Sequence, residues 1–438
     1  MKTLEQRTLT REQKEAVGLL SIGTFLEYFD LMLYVHMAVL LNELFFPKTD
    51  PFTASLLAAF AFCSTYILRP FGALLFGYIG DNIGRKHTVI ITTFMMATSC
   101  TVMAVLPTYA QIGITASWLV TICRIIQGMS SMGEIIGAQI YLTETIKRPI
   151  QYPIVALLSL LAALGGVAAL GIASLVTIYH TNWRYAFWFG ALVAVIGTVA
   201  RTSLRETPDF VNVKTRLKRT LNTINKDISV LSNQEPWKEK INPVHALNFF
   251  LIQCGWPICF YIAFIHCSSI LQSSFGYSPE QVIHQNFFLA IIEMVGVFLL
   301  MVVASCYVYP IIILKVKLII FSIIILLSPY FLENATSPFE VFCVQGLIMF
   351  FVLEDTPAKT IFFDYFPILR RFTSAAFLYA VSRAVMFVIT SFGCVYFTNL
   401  YGNYGLLIIV VPILIFYTLG VLHFQRLEKE AGKYRRFL

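Results

Sequence analysis

The chain has 438 residues, of which 58% are hydrophobic and only 13% are charged, with 32 lysines and arginines against 24 aspartates and glutamates. About a quarter of the residues in a soluble domain are charged, so this composition, with a mean hydropathy of +0.74, excludes an ordinary water-soluble globule. Because a membrane-spanning helix needs about 20 apolar residues, the apolar content is enough for about a dozen spans.

Apolar segments of membrane-spanning length follow one another along the chain, separated by short charged, proline-marked or glycine-marked breaks. They predict an all-α membrane protein with twelve transmembrane helices. The predicted spans are 17–41, 53–79, 87–107, 117–143, 153–178, 184–202, 244–267, 283–307, 311–331, 338–358, 371–397 and 403–424.

One long polar stretch, residues 203–243, separates the sixth predicted span from the seventh. It is too short to bury much of a core, so we interpret it as an amphipathic or disordered linker. The predicted organisation is therefore a tail at 1–16, a six-helix bundle at 17–202, the linker, a second six-helix bundle at 244–424 and a tail at 425–438.

Lysine and arginine are concentrated on one side of the predicted spans, in the linker, in both tails and at pairs such as Lys315 and Lys317. Basic loops remain in the cytoplasm, so the pattern predicts a multi-pass membrane protein with both termini cytoplasmic. The net charge of +8 then follows from topology and favours contact with anionic lipid. Nucleic acid is not needed to explain it.

Two carboxylates lie near the middle of the first predicted span. Glu27 and Asp30 are three residues apart and share a helix face, with Tyr34 one turn further along that face. Burial in the bilayer makes a charged carboxylate costly, so such residues usually serve function. The pair is suited to proton coupling; the alternative is a static ion pair that holds the first helix to a neighbour.

The junction of the second and third predicted spans combines glycines with an acid and two bases. Its glycines, among them Gly77 and Gly84, allow a tight turn between two helices. Asp81, Arg85 and Lys86 would lie at the cytoplasmic face, and a turn with ordinary cytoplasmic charge is the simpler explanation. The full order is Gly77-Tyr78-Ile79-Gly80-Asp81-Asn82-Ile83-Gly84-Arg85-Lys86.

The fourth predicted span carries Arg124, Gln127 and Glu134. Arg124 and Gln127 share a face, whereas Glu134 is ten residues, or about 15 Å, further along the axis. Judged by depth, Arg124 matches Asp30, and Glu134 matches Arg69 of the second span. We therefore expect two ion pairs between helices, Asp30–Arg124 and Arg69–Glu134, with Arg69 in a structural role.

The second half has fewer ionisable residues within its predicted spans. Glu293 and Arg383 lie near mid-depth on the eighth and eleventh spans, where they could face each other or a ligand. The seventh span carries Trp256, Phe260 and Phe264, with Tyr261 between them. These rings, with Trp188 of the sixth span, could form a cage for a quaternary ammonium group, although lipid-facing aromatics are more common.

Several classes of site are not indicated by the sequence. The nine cysteines form no CxxC pair and no zinc-ligand spacing, and all fall in apolar stretches. There is no GxxxxGK[ST] nucleotide-binding loop and no catalytic arrangement recognisable by spacing. We therefore predict no metal, no cofactor and no enzymatic activity.

The Gly77–Lys86 loop strongly resembles the loop motif of the major facilitator superfamily. Three further segments resemble its metabolite–proton symporter branch. These segments are Gly23-Thr24-Phe25-Leu26-Glu27-Tyr28-Phe29-Asp30, Arg69-Pro70-Phe71-Gly72 and Arg124-x-x-Gln127-Gly128. The resemblance is dense over residues 17–212, roughly the first half of the chain.

This resemblance implies two six-helix bundles around a central cavity that opens alternately to the two sides of the inner (plasma) membrane. It implies import of a small polar metabolite with protons, either an osmolyte such as proline or betaine or an organic acid, by a carrier that we expect to work as a monomer. It places Glu27, Asp30, Arg124 and Glu134 in the cavity or coupling network. It also places Asp81, Arg85 and Lys86 in a cytoplasmic gate.

The second half departs from the family pattern at the junction of the eighth and ninth spans. This junction should repeat the loop motif, but residues 304–310 read Ala-Ser-Cys-Tyr-Val-Tyr-Pro, without the expected aspartate. The departure leaves the substrate open. It also motivates an alternative: a sensor or receptor that retained the transporter fold and lost transport.

Overall fold

The structure is a computed structural model, and it describes residues 6, 8–47, 66–178, 182–202 and 240–434. Some side chains inside the helices, including those of Tyr34, Arg85 and Glu134, lie outside this description. The predicted linker at 203–243 falls almost entirely outside the described residues, as does the start of the second predicted span.

In the described ranges, helices occur at all twelve predicted positions. In the first half they run over Arg11–Phe45, Arg69–Asn82, Arg85–Val105, Ile114–Thr145, Gln151–Ile178 and Arg184–Thr202, with a short turn of helix at Tyr109–Ile112. The first helix begins before the predicted start of its span because Arg11 to Glu15 extend it as a polar first turn. We number the helices one to twelve in chain order, leaving the short turn out.

Helices of the second half are more irregular. The seventh is built from Pro243–Gln253, Gly255–Phe260, a π-helical turn at Tyr261–His266 and Cys267–Phe275. The eighth comprises Pro279–Gly296, a π-helical turn at Val297–Val303 and Ala304–Cys306, and the ninth is Pro310–Glu333. The tenth is Pro338–Phe350, the eleventh comprises Arg371–Val388, a π-helical turn at Ile389–Cys394 and Val395–Tyr401, and the twelfth is Leu406–Glu430.

The tenth helix is shorter than the sequence predicts. The predicted span was 338–358, but the helix ends at Phe350, and residues 351–358 form a non-helical segment before a short helix at Lys359–Asp364. Pro357 cannot donate a backbone hydrogen bond and disfavours helical geometry in the residue before it. We refer to 351–358 as the broken segment.

The two halves pack against each other through two pairs of helices. The second helix contacts the eleventh, and the fifth contacts the eighth. Eight of the described segments are long and apolar enough to cross a membrane. Many large apolar side chains, such as Phe94 and Phe339, are exposed on the outside of the bundle, as expected for a surface that faces lipid.

Lys317 was expected in a cytoplasmic basic cluster, and the structure corrects this. It lies two turns inside the ninth helix and is only 3% exposed. Its Nζ has no hydrogen-bond partner among the described residues. The distance of a basic residue from the end of a predicted span indicates how deep its side chain lies in the membrane, but it does not indicate which face of the helix carries that side chain.

Gly165 sets how closely the first and fifth helices approach. A Cβ at this position would lie 2.3 Å from the carbonyl oxygen of Phe25, whereas a Cβ at the adjacent Gly166 would meet only the side chain of Met32, at 3.8 Å. A separation of 2.3 Å is too short for any Cβ, and the oxygen atom that the Cβ would meet belongs to the backbone of Phe25. The two helices can therefore pack at this distance only with glycine at 165.

We expect Gly165→Ala to destabilise the protein by about 1–3 kcal/mol, because the backbones of two helices must move apart. Gly166→Ala is the matched control and should have little effect. Thermal unfolding of both variants in the same detergent measures the difference. Equal melting temperatures would contradict the packing described for Gly165.

Candidate functional site

A cavity lies between the two halves, with about 830 Å³ of empty space including the open solvent at its mouth. The first, fourth and fifth helices form one wall, and the seventh, eighth and eleventh helices form the other, together with Glu354 of the broken segment and Lys359 just after it. The charged and hydrogen-bonding side chains of the lining are Thr24, Tyr28, Gln139, Ser159, Trp256, Glu293, Glu354, Lys359, Tyr379 and Arg383.

Arg383 is the cationic centre of the second-half wall and is 5% exposed. Its Nη1 donates a 3.1 Å hydrogen bond to the carbonyl oxygen of Gln253. The guanidinium also lies 4.8 Å from the ring centre of Trp256 and 4.6 Å from that of Tyr379. Its Nε has no hydrogen-bond partner among the described residues. The group is thus held in position by two rings and one carbonyl, with a donor to spare.

The broken segment brings further charges to the same wall. Lys359 Nζ lies 3.3 Å from Asp355 Oδ1 and 4.0 Å from Glu354 Oε1. Gln253 Nε2 donates a 2.6 Å hydrogen bond to Asp355 Oδ2. Since the Gln253 carbonyl also binds Arg383, one residue connects both cations of the wall. Glu354 and Lys359 were not among the predicted site residues; the signal was two acids followed by a proline within an apolar span.

A stack of aromatic rings continues along the seventh helix. Trp256 and Phe260 are stacked with 5.0 Å between ring centres, and Phe260 and Phe264 are stacked at the same distance. All three residues line the cavity. Trp188, in contrast, is 47% exposed on the sixth helix. Three of the four seventh-helix rings of the predicted cage therefore lie at the cavity, whereas Tyr261 is not part of its lining and Trp188 lies apart from it.

Glu27, Asp30, Arg124 and Gln127 of the first half are buried but lie outside the cavity lining. Glu27 and Asp30 are each 1% exposed, and Thr24 and Tyr28 are the residues of that region which line the cavity. A Cβ at Gly190 would lie 2.5 Å from Asp30 Oδ1, so Asp30 points at the sixth helix. Its two oxygens have no nitrogen or oxygen hydrogen-bond partner among the described residues, but the carboxylate interacts with the Cys100 thiol.

The predicted Asp30–Arg124 ion pair is not formed. Arg124 Nη1 instead donates a 3.4 Å hydrogen bond to Gln127, and Gln127 Nε2 is 3.5 Å from the Cys100 sulfur. Asp30 and Arg124 are both buried, as their equal predicted depth indicated, but their side chains leave their helices in different directions. Arg69 lies over the ring of Tyr66 at 4.3 Å. The Arg69–Glu134 pair stays a prediction, as do the roles of Glu134 and Tyr34, because these two side chains lie outside the described part.

The Gly77–Lys86 loop ties the first half to the eleventh helix. Asp81 Oδ2 accepts hydrogen bonds from the backbone nitrogen of Thr373 at 2.8 Å and from its hydroxyl at 2.5 Å. Gly77 permits the approach, since a Cβ there would lie 2.7 Å from the Thr373 Cα. Gly84 has a φ of +151°, which favours glycine at the start of the third helix. The carboxylate thus binds near the N-terminus of a helix, where negative charge is stabilised.

The second half makes a different connection at the same end. Arg148, just before the fifth helix, lies 2.8 Å from Glu428 of the twelfth helix and 2.8 Å from Asp364. Glu428 also accepts hydrogen bonds from the hydroxyls of Tyr309 and Tyr365. Tyr309 lies in the junction that lacks the loop-motif aspartate. We call these five residues the Glu428 cluster; through it the second half binds the first without that aspartate.

A third ion pair joins the halves at this end, between Arg371 Nη1 and Glu144 Oε1 at 3.4 Å. Both side chains are buried, with exposures of 8% and 0%. Buried charge pairs are strongly destabilised when one partner is removed. The Asp81 contact, the Glu428 cluster and this pair therefore close the bundle at one end.

Replacing Glu428 with glutamine should weaken this closure by about 1–3 kcal/mol, because Arg148 loses a buried charged partner. Arg426→Gln, two residues away, removes only an exposed pair with Glu430 and is the control. Spin labels on cysteines at the exposed Lys147 and Lys433, with the exposed native cysteines replaced, report the separation of the halves. A longer distance population in Glu428→Gln alone is expected; identical distributions in both variants would contradict the role of the cluster.

Comparisons with known proteins agree with this architecture. The sequence model of the Major Facilitator Superfamily matches residues 20–389. The chain is 35% identical over 219 residues to the inner membrane metabolite transport protein YhjE of Escherichia coli, covering 46% of this chain and 49% of that protein. It is 31% identical over 204 residues to the proline/betaine transporter of Salmonella typhimurium, covering 45% of this chain and 41% of that one. The chain thus spans about half the length of the curated relatives it matches.

Solved structures show the same fold at low sequence identity. The proton:xylose symporter XylE superposes with a TM-score of 0.74 at 13% identity, covering 94% of this chain and 95% of that one. The human organic anion transporter MFSD10 gives a TM-score of 0.61 at 14% identity, covering 95% of this chain and 100% of that one. These matches confirm the predicted all-α fold and the prediction that the chain is not an enzyme. With the family match over most of its length, the chain belongs to the Major Facilitator Superfamily.

Proposed function

We propose that the protein imports a small polar metabolite by proton symport, working as a secondary transporter by alternating access. The observation that carries this proposal is the cavity between the halves, whose wall contains a buried arginine beside a stack of aromatic rings. We place the protein in the inner (plasma) membrane as a monomer with both termini cytoplasmic, since the basic segments would then face the cytoplasm.

Alternating access requires contacts that can close one end of the bundle and then release. The Asp81 contact and the Glu428 cluster are of this kind, because both consist of polar groups that water can also satisfy. With basic segments in the cytoplasm, the closed end is the cytoplasmic one. The presence of the Asp81 contact and of the Glu428 cluster favours a transporter over the alternative of a sensor without transport. A receptor that does not open and close would not need a second connection between the halves in place of the missing loop motif.

The cavity wall favours a substrate with a carboxylate and a cationic or apolar end. Arg383 lines the cavity and would bind the carboxylate, since a guanidinium is well suited to carboxylates. The faces of Trp256, Phe260 and Phe264 would bind an ammonium or methylated ammonium group. Glu293, also in the lining, would add negative charge for that group. An osmolyte such as proline or betaine meets these requirements better than an organic acid with several carboxylates.

Asp30 and Glu27 are proposed to couple transport to protons. A charged carboxylate at 1% exposure is costly, and binding a proton removes that cost. Asp30 lies in the packing between the first and sixth helices, so its protonation would change the contact between two helices. Coupling would then act through the arrangement of helices in the first half.

Uptake into proteoliposomes with an imposed inward proton gradient tests the function. We expect radiolabelled proline or betaine to accumulate, and the accumulation to collapse with an uncoupler. Asp30→Asn should abolish uphill uptake while leaving downhill exchange, because the amide cannot carry the proton. No uptake of proline, betaine, amino acids or organic acids would favour the sensor, and full coupling in Asp30→Asn would remove the proposed role of that residue.

Arg383→Lys tests the substrate site. Lysine keeps the charge but loses the planar fork and the stacking on two rings. Because charged hydrogen bonds and cation–π contacts contribute about 1–3 kcal/mol, the KM should rise by about 5- to 150-fold. Arg370→Lys, at an exposed position just before the eleventh helix, is the matched control. A KM unchanged in Arg383→Lys would exclude this arginine from substrate binding.

A further inference from the structure

We propose that Glu354, in the broken segment of the tenth span, is a second proton-binding site, and that Lys359 connects its protonation to binding of the substrate carboxylate. This inference rests on the proposed proton symport, and it places a coupling residue in the second half of the chain, where the sequence indicated Glu293 and Arg383 but not Glu354. The inference depends on the contacts that hold the broken segment in place and on how Glu354 and Asp355 share Lys359.

The broken segment is held by contacts from three sides. Tyr417 of the twelfth helix donates a 2.8 Å hydrogen bond to the Glu354 carbonyl oxygen. Gln253 of the seventh helix binds Asp355, and Ser159 of the fifth helix lies 2.9 Å from the Thr356 hydroxyl. A non-helical stretch inside a membrane protein is tolerated where it is buried in protein or lines a cavity. Here it does both, and it presents its two carboxylates at a fixed place.

The two carboxylates of the segment have different surroundings. Asp355 is 2% exposed and bound on one oxygen by Gln253 and on the other by Lys359. The Glu354 side chain is 16% exposed, lines the cavity and stands further from Lys359, at 4.0 Å. Asp355 is therefore the fixed partner of the lysine. Glu354 is the carboxylate that a proton can reach from the cavity.

Other ionisable groups face Glu354 from the neighbouring helices. They are Tyr28 of the first helix, Glu293 of the eighth, Lys317 of the ninth, Tyr379 and Arg383 of the eleventh, and Tyr417 of the twelfth. With Glu354, Asp355 and Lys359, this region contains three carboxylates and three bases. Lys317 is buried without a hydrogen-bond partner among the described residues, and the carboxylates of this group lie around it. The rings and Glu293 would compensate the ammonium end of a zwitterionic substrate, but in a buried group of balanced charge its carboxylate still needs compensation by further positive charge.

A proton on Glu354 would provide that compensation. It passes from hydronium in the cavity to a carboxylate oxygen of Glu354, leaving water and a neutral acid. Lys359, until then shared by two carboxylates, retains one ionised partner and can attract the substrate carboxylate held by Arg383. When the substrate leaves, the proton returns to water and Lys359 is again shared. Proton and substrate therefore bind together, without any covalent step.

The same carboxylate is connected to the first half of the molecule. The Thr356 hydroxyl donates a 3.2 Å hydrogen bond to Glu354 Oε1. Since the single proton of that hydroxyl is used, Ser159 of the fifth helix must donate to Thr356 across the interface of the halves. A proton on Glu354 makes it a weaker acceptor and loosens this chain. Protonation of Glu354 would thereby weaken the contact between the two halves.

The experiment compares Glu354→Gln with the matched control Glu280→Gln, an exposed glutamate at the start of the eighth helix. Reconstituted protein is assayed with radiolabelled betaine and proline for gradient-driven accumulation, for substrate-induced proton entry, and for exchange of labelled against unlabelled substrate at equal pH. In Glu354→Gln we expect the accumulation ratio to fall to about 1 and proton entry to disappear, with exchange kept within about threefold of the parent. Glu354→Asp, which keeps a carboxylate, should restore part of the accumulation.

The outcomes separate this inference from the proposed function. If the parent protein shows exchange but no proton-dependent accumulation, the symport itself is wrong. If the parent accumulates substrate and Glu354→Gln accumulates it equally, with the same proton entry, the symport stands and the role of Glu354 is overturned. Loss of exchange in both Glu354→Gln and Glu354→Asp, with normal unfolding temperatures, would also overturn it, because Glu354 would then serve substrate binding.

Discussion

The cost of placing a charge where lipid excludes water governs this structure. A charged group in the bilayer must find a partner, line a cavity or bind a proton. The described residues show the first two solutions, since Arg383 lies between two rings at the cavity and Lys359 is shared by two carboxylates. The third is the role proposed for Asp30, which is 1% exposed. The apolar helices form the frame, and the few charges within it decide where chemistry can take place.

The two halves solve the problem of closing one end in different ways. The first half uses a loop aspartate bound near the N-terminus of the eleventh helix. The second half has lost the corresponding acid and instead binds Arg148 through Glu428, with Tyr309 in the junction donating to the same carboxylate. The missing motif therefore does not mean a missing contact. Glu428, a buried carboxylate of the twelfth helix, makes a connection to the first half in place of the absent loop residue.

The sequence was sufficient for much of the fold and for part of the site. Apolar segments of spanning length placed a helix at each of the twelve predicted positions, although not the short helices at Tyr109–Ile112 and Lys359–Asp364. An acid between glycines at a helix junction placed Asp81 at an interface. Hydropathy could not find the break after Phe350 or the burial of Lys317, because it averages over a window and does not resolve the faces of a helix. It also gave Asp30 and Arg124 the same depth, which was not enough to pair them, since pairing depends on the direction in which each side chain leaves its helix.

Each of the three π-helical turns in the described residues lies in the second half, in the seventh, eighth and eleventh helices. A π turn accommodates one residue more than an α turn and is frequent at functional sites. Conversion of such a turn to α geometry would rotate the remainder of the helix by about a quarter of a turn without unfolding it. Each of the three helices that form the second-half wall of the cavity thus contains a π-helical turn at which the helix could change its register.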